Sequence, residues 1–225
     1  EFHTLNNTPY DFKKIDLNFF DIYKSKLRYK NYLKFRKNKI LTKDELLKLE
    51  KFLGNRFSGN AEIFKNCNYF NNNNNNEKEL LKKQLNLDEN KRNIFLFSNL
   101  YWDAGMSDRG QLYEDVITWV IRTIEILKDN KNINLYIKTH PAEIYDSSES
   151  LSGVKQIVLE KIKKLPSNVS FIDPEYKIKP YDLFEFIDLG VLFDGTLGLE
   201  MLFKDVTVVD VGNTPYNGLG FAHEP

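Results

Sequence analysis

Two short segments carry side chains suited to holding an anion. In Lys138-Thr139-His140-Pro141-Ala142-Glu143 an ammonium stands two residues from an imidazole, and Pro141 biases His140 toward an extended backbone. Such a pair suits a phosphate, because an ammonium and an imidazole neutralise charge without a metal. The same spacing also fits a histidine that only caps the segment after it. In Asp194-Gly195-Thr196-Leu197-Gly198-Leu199-Glu200, Gly195 permits close backbone approach and Thr196 is placed to cap a helix whose first amides would attract an anion. Glu200 falls one helical turn from Thr196 on the same face, where a carboxylate can accept from the two hydroxyls of a ribose; an ordinary N-cap with a solvated Glu fits the pattern too.

Two further loops have a similar character. Ser98-Asn99-Leu100-Tyr101-Trp102-Asp103-Ala104-Gly105 is polar and aromatic, with Trp102 and Asp103 readable either as ligand contacts or as a packing residue and a turn former. Gly212-Asn213-Thr214-Pro215-Tyr216-Asn217-Gly218-Leu219-Gly220-Phe221 sets glycines around Tyr216, as in a loop closing over a base or sugar, or in a surface turn. Neither a G-x-G-x-x-G fingerprint nor a Gly-Lys-Ser/Thr phosphate loop is present, which weakens NAD and ATP-hydrolysis readings.

All four segments follow apolar runs. Strands are predicted at Ile94–Phe97, Leu135–Ile137, Val169–Ile172, Gly190–Phe193 and Val206–Val211, with helices over Leu112–Leu127, Val154–Ile162, Tyr181–Ile187 and Leu197–Phe203 between them. Near-continuous apolar strands alternating with helices predict an α/β fold: a Rossmann-like parallel sheet with helices on both faces. Ligands of such sheets bind beyond the carboxyl ends of the strands, where the four loops would lie.

Before residue 90 the pattern is helical. Thr42-Lys43-Asp44-Glu45 is a capping box ahead of Leu46, Leu49 and Leu53, Asn71–Asn76 reads as a solvated loop, and Glu77–Leu85 as a short helix. Lys13–Lys39 reads as a basic amphipathic helix that could rest on a membrane surface or cover its own domain. The organisation expected is a helical connector with an Asn-rich loop over 1–89 and a Rossmann-like ligand-binding domain over 90–225.

Composition narrows the classes. Lys and Arg total 32 against 32 Asp and Glu, so no global charge draws nucleic acid or an anionic membrane. One cysteine, Cys67, cannot close an internal disulfide or build a Cys-rich zinc site. No apolar run reaches the length of a membrane span. A soluble cytoplasmic chain is expected, with peripheral contact at the inner membrane as the second option, and the Gly-rich end suggests a fragment of a longer protein.

Taken together, Trp102-Asp103-Ala104, the Lys138 to Glu143 segment, the Gly195 to Glu200 segment, and Gly212 with Tyr216, Gly218, Gly220 and Phe221 resemble bacterial capsule polysaccharide biosynthesis proteins. The resemblance covers about residues 42 to 225 and implies the donor-binding half of a GT-B glycosyltransferase. Related polysialyltransferases, Kdo transferases and teichoic-acid glycerophosphotransferases share a His-Pro followed by a Ser/Thr-containing loop and a Glu, generally without need of a metal. By that resemblance His140 and Thr196 would contact phosphate and Glu200 the ribose. The implied donor-binding set is Trp102, Asp103, Lys138, His140, Glu143, Gly195, Thr196, Gly198, Glu200, Tyr216 and Gly218, with no metal, no cofactor and no assigned catalytic base. The sequence departs from the family in having Gly195-Thr196-Leu197 where relatives carry Ser-rich loops, and the N-terminal acceptor domain is missing. The expected partners are a nucleotide-sugar, a saccharide acceptor and that domain. A non-hydrolysing nucleotide-sugar epimerase and a catalytically silent capsule-assembly scaffold are the alternatives.

Overall fold

The computed structural model describes residues 41–58, 75–103, 110, 112–144, 152–176, 178–214 and 216–224. The predicted basic helix at Lys13–Lys39, Cys67, residues 71–74 of the Asn run, Ala104, Gly105 and Pro215 lie outside the described residues.

Five strands form one wholly parallel sheet in the order β3-β2-β1-β4-β5: β1 is Arg92–Phe97, β2 Ile133–Lys138, β3 Val169–Ile172, β4 Leu189–Leu192 and β5 Val208–Asp210. The first half of the chain winds outward from β1 through α3 (Val116–Leu127), β2 and α4 (Val154–Ile162) to β3. The second half returns through α5 (Pro180–Leu183) and a 3₁₀ turn at Phe184–Phe186 to β4, then through α6 (Leu197–Leu202) to β5. Two helices precede the sheet, α1 (Lys43–Phe57) and α2 (Asn75–Leu85). The expected α/β class, Rossmann-like with both faces covered, is the one observed.

Alternation along the strands separates two cores. Ile94, Leu96, Leu135 and Ile137 face α3 and α4, packing on Trp119, Val120, Ile124, Val154 and Val158. Phe95, Phe97, Tyr136 and Ile172 face the other way, onto Leu183, Phe184, Met201 and Leu85 of α2. Trp119 is fully buried, with its ring 5.5 Å from that of Phe193, so truncation to Ala would cost about 3–5 kcal/mol. With each face dry, the strands read as continuous apolar runs rather than alternating ones.

Local chemistry trims several predicted boundaries. The Asp115 carboxylate accepts from Thr118 N at 2.7 Å, so α3 starts at Val116 rather than Leu112. Pro180 opens α5, and the helix predicted over Tyr181–Ile187 is one α-turn followed by the 3₁₀ turn. Asn75 and Asn76, predicted as loop, form the first residues of α2. The capping box is present as predicted: Thr42 N donates to Glu45 Oε2 at 3.0 Å and Glu45 N to Thr42 Oγ1 at 3.3 Å.

Candidate functional site

Helices α3 and α4 lie on one face and α5 and α6 on the other, so the connections leaving β1 and β4 depart in opposite directions. Adjacent strands whose connections part in this way open a crevice at their carboxyl ends. In the sheet register Lys138, Phe97 and Leu192 stand in one row, continued by Asp210 on β5. His140, Asn99, Asp194 and Gly212 each lie two residues past that row. Neighbouring strands are about 4.8 Å apart, so four consecutive loops are held along one rim by backbone hydrogen bonding. Asn99 Nδ2 donates to the Asp194 carbonyl at 3.1 Å, joining the β1 loop to the β4 loop across the crevice.

On the β2 side, Lys138 shares the strand face of Tyr136 and is only 3% exposed. Among the described residues its ammonium has no ion pair or hydrogen bond, and burial pulls its pKa down to about 8. His140 is half-buried, and its Nδ1 accepts from Ala142 N at 3.1 Å. An acceptor at Nδ1 puts the proton of the neutral ring on Nε2, which makes that atom a donor. Burial, and next the charge of Lys138, lower the His140 pKa, while Asp103 pulls it the other way. The ring is therefore neutral near pH 7, and Asp103 of the β1 loop is close enough to act on it. Trp102 is half-buried, with its ring edge-on to Tyr101 at 4.9 Å.

Glu143 sits behind His140. Its Oε2 accepts from Val154 N at 3.3 Å, so it caps α4, and burial raises its pKa to about 7.

On the β4 side Gly195 adopts φ +122°, a backbone conformation that L side chains avoid. Thr196 precedes α6 but does not cap it, contrary to the sequence expectation: its backbone is already helical and its side chain makes no capping hydrogen bond. Its hydroxyl instead donates to Glu200 Oε1 at 3.3 Å and accepts from Arg56 Nη2 at 3.1 Å. Glu200 is not solvated. Its side chain is 4% exposed and ion-paired with Arg56, Nε to Oε1 at 2.5 Å, without the alignment of a full hydrogen bond. The Tyr181 hydroxyl meets both charged groups, and burial followed by the charge of Glu200 holds its pKa above the ordinary range. Arg56 and Tyr181 were not singled out in the sequence. Arg56 lies 140 residues from Thr196, and an arginine in the last turn of an amphipathic helix reads as solvated.

The β5 loop turns inward. Tyr216 is 2% exposed, with its hydroxyl toward Asp210 and Thr214; burial and then the Asp210 charge raise its pKa. A Cβ on Gly198 would strike that hydroxyl and the Leu192 side chain, so Gly198 allows α6 to seat over Tyr216. Asp210, fully buried, is pushed up to about 6 by burial. Gly218 N donates to Glu224 Oε2 at 2.7 Å. Thus Trp102, Asp103, Lys138, His140, Gly195 and Thr196 lie at or just past the carboxyl ends of β1, β2 and β4, with Glu143 beside His140 and Glu200 beside Thr196. Gly198 and Tyr216 lie in the packing beneath, and the Gly218 amide is engaged by the chain end. Among the described residues no helix is long and apolar enough to cross a membrane, and no group of three or more His, Cys, Asp or Glu is arranged to hold a metal.

No protein-family model and no curated protein matches the chain. Among solved structures it is similar to the beta Kdo 2,7 transferase of KpsC from Thermosulfurimonas dismutans, at 15% identity and a TM-score of 0.43 over 68% of this chain and 46% of that one. It is similar to the same organism's KpsC beta Kdo 2,4 transferase at 16% identity and a TM-score of 0.45, covering 75% and 55%. A UDP-GlcNAc 2-epimerase from Neisseria meningitidis bound to UDP-GlcNAc matches at 12% identity and a TM-score of 0.41, covering 60% and 31%. The chain spans about half the length of the two transferase structures.

Proposed function

We propose that this chain is the donor-binding part of a GT-B-type glycosyltransferase that moves a sugar from a nucleotide-activated donor during capsule or surface polysaccharide synthesis. The observation that carries the reading is the pairing at the β2 end: a buried ammonium without a counter-charge among the described residues, beside an imidazole held as an Nε2–H donor. An uncompensated ammonium is costly to bury, and an arriving phosphate supplies its missing partner. The sequence resemblance supports the choice of a sugar nucleotide over other phosphates.

In this reading Lys138 and His140 stabilise charge as the phosphate departs, in a partly dry crevice where such contacts are strengthened. Thr196 binds the same group from the far wall, and Trp102 offers a ring to the base or sugar. The acceptor saccharide and its general base belong to a companion unit, so this chain binds donor and transfers little by itself. Peripheral contact with the cytoplasmic face of the inner membrane, through the basic segment 13–39, belongs to the same proposal.

Calorimetric titration with CMP, CDP, UDP and GDP tests the reading. Saturable binding of at least one nucleotide, abolished or weakened by His140→Ala, is the outcome expected. A folded protein that binds none of them at millimolar concentration overturns it in favour of a silent scaffold. Interconversion of a nucleotide-sugar by the protein without acceptor would redirect it to epimerisation.

A further inference from the structure

The end of α1 is fastened to α5, to α6 and to Lys204 just beyond α6 by several contacts. Phe57 meets the Tyr181 ring edge-on at 5.2 Å, and the Lys204 ammonium lies 4.8 Å from the Phe57 centroid. The Arg56 guanidinium lies 5.6 Å from the Phe52 ring, grips Thr196 at 3.1 Å and pairs with Glu200 at 2.5 Å. These contacts fix a long side chain that would otherwise sample many rotamers.

Of the two charged groups in this pair, the carboxylate is the sealed one: the Glu200 side chain is 4% exposed and that of Arg56 16%. One Glu200 oxygen is already taken by Arg56 and Thr196, and the other is buried within the protein. A ribose seeking the carboxylate would have to displace the ion pair. An anion arriving at the Thr196 hydroxyl meets instead a guanidinium already oriented against that hydroxyl, and the planar fork of an arginine matches phosphate oxygens.

We propose that Arg56 is a phosphate-contacting residue of the donor site and that Glu200 is a positioning residue acting through Arg56 rather than a ribose ligand. The inference rests on the donor-site reading above. It makes the N-terminal helical segment part of the site: donor binding and docking of α1 stabilise one another, because a coupling between two such events is reciprocal.

The test titrates the full chain with CMP, CDP, UDP and GDP, then with the nucleoside of the tightest binder. Arg56→Gln should weaken the nucleotide by roughly tenfold or more, as loss of a charge-assisted hydrogen bond does, and the nucleoside by less than about twofold. Glu200→Gln should show the same nucleotide-selective loss, since it unmoors Arg56. If either single variant unfolds, the Arg56→Gln/Glu200→Gln pair removes the ion pair without stranding a buried charge and should show the same selectivity. Unchanged nucleotide affinity in Arg56→Gln overturns the proposal. Tighter binding also overturns it, by making Arg56 a plug. Equal weakening of nucleotide and nucleoside by Glu200→Gln returns that carboxylate to the ribose. Failure of the wild-type chain to bind any of the four nucleotides sinks the donor reading and this inference together, whereas binding that is lost on His140→Ala but intact on Arg56→Gln sinks this inference alone.

Discussion

Replacing His140 by alanine removes two contacts of different value. The first is local: Nδ1 accepts from Ala142 N at 3.1 Å on a half-buried turn, and water can replace it, so the stability lost is about 0.5–1.5 kcal/mol. The second exists only with ligand bound. A hydrogen bond from Nε2–H to a charged phosphate contributes about 1.5–3 kcal/mol, or roughly 10- to 100-fold in affinity. His140→Asn separates the two, because its amide oxygen can take over the role of Nδ1 while nothing reaches the place of Nε2. Both variants are compared with wild type by thermal melting and by calorimetry with the tightest-binding nucleotide. Alanine should lose a little stability and most of the affinity; asparagine should keep stability near wild type and lose the same affinity. If alanine melts far lower with unchanged affinity, or asparagine restores binding, the histidine is a cap and the phosphate argument fails.

Lys138→Met should raise the melting temperature while weakening nucleotide binding, since it removes a buried ammonium with no partner among the described residues; a variant that binds nucleotide as the wild type does and melts lower refutes this. In the wild type, nucleotide affinity should fall as pH rises above about 8, where the free protein loses the Lys138 proton, and calorimetry of Lys138→Met should lack that limb. Glu143 has its pKa raised from 4.5 to about 7, so its stabilising contribution is complete below pH 4.5 and disappears as pH rises through 7. Melting curves between pH 5 and 8 should show that slope in wild type, reduced in Glu143→Gln; equal slopes would count against it. Gly198→Ala should destabilise by about 1–3 kcal/mol through collision with the Tyr216 hydroxyl and Leu192, and Tyr216→Phe should recover part of the loss in the double variant, measured by urea denaturation.

The sheet was legible because burial on both faces leaves a plain signature. Val169–Ile172 coincides with β3, and the other strands differ from their predicted limits only at the ends. Those ends are decided by backbone geometry that hydrophobicity does not report. Asp205, for example, takes φ +58° and Val206 N bonds back to Met201 O, so β5 starts at Val208. The rim was legible for a similar reason: once the strands are parallel, their following loops must share an edge. What stayed hidden depended on contacts distant in sequence. A serviceable N-cap residue at Thr196 gave no hint that an arginine from another helix would claim its hydroxyl. Tyr216 among glycines reads as part of a loop closing over a ligand or of a surface turn, and the space its hydroxyl occupies inside depends on the missing side chain at Gly198.

The two walls of the crevice use charge in opposite ways. On the β2 side Lys138 is buried without a counter-ion among the described residues, so the unliganded protein bears a desolvation penalty that an anion relieves. On the β4 side Arg56 already has Glu200 at 2.5 Å, so that wall is nearly self-sufficient and gains less from an anion. It follows that Lys138 and His140 should govern whether a phosphate binds, while Arg56 and Thr196 govern where along the rim it settles. Nucleotides differing only in phosphate number separate the two roles. Removing Lys138 should weaken mono- and diphosphates alike, whereas removing Arg56 should change the ratio between them. Calorimetry with CMP and CDP on both variants measures that ratio, and an Arg56 variant that leaves it unchanged would show that the two walls do not divide the work in this way.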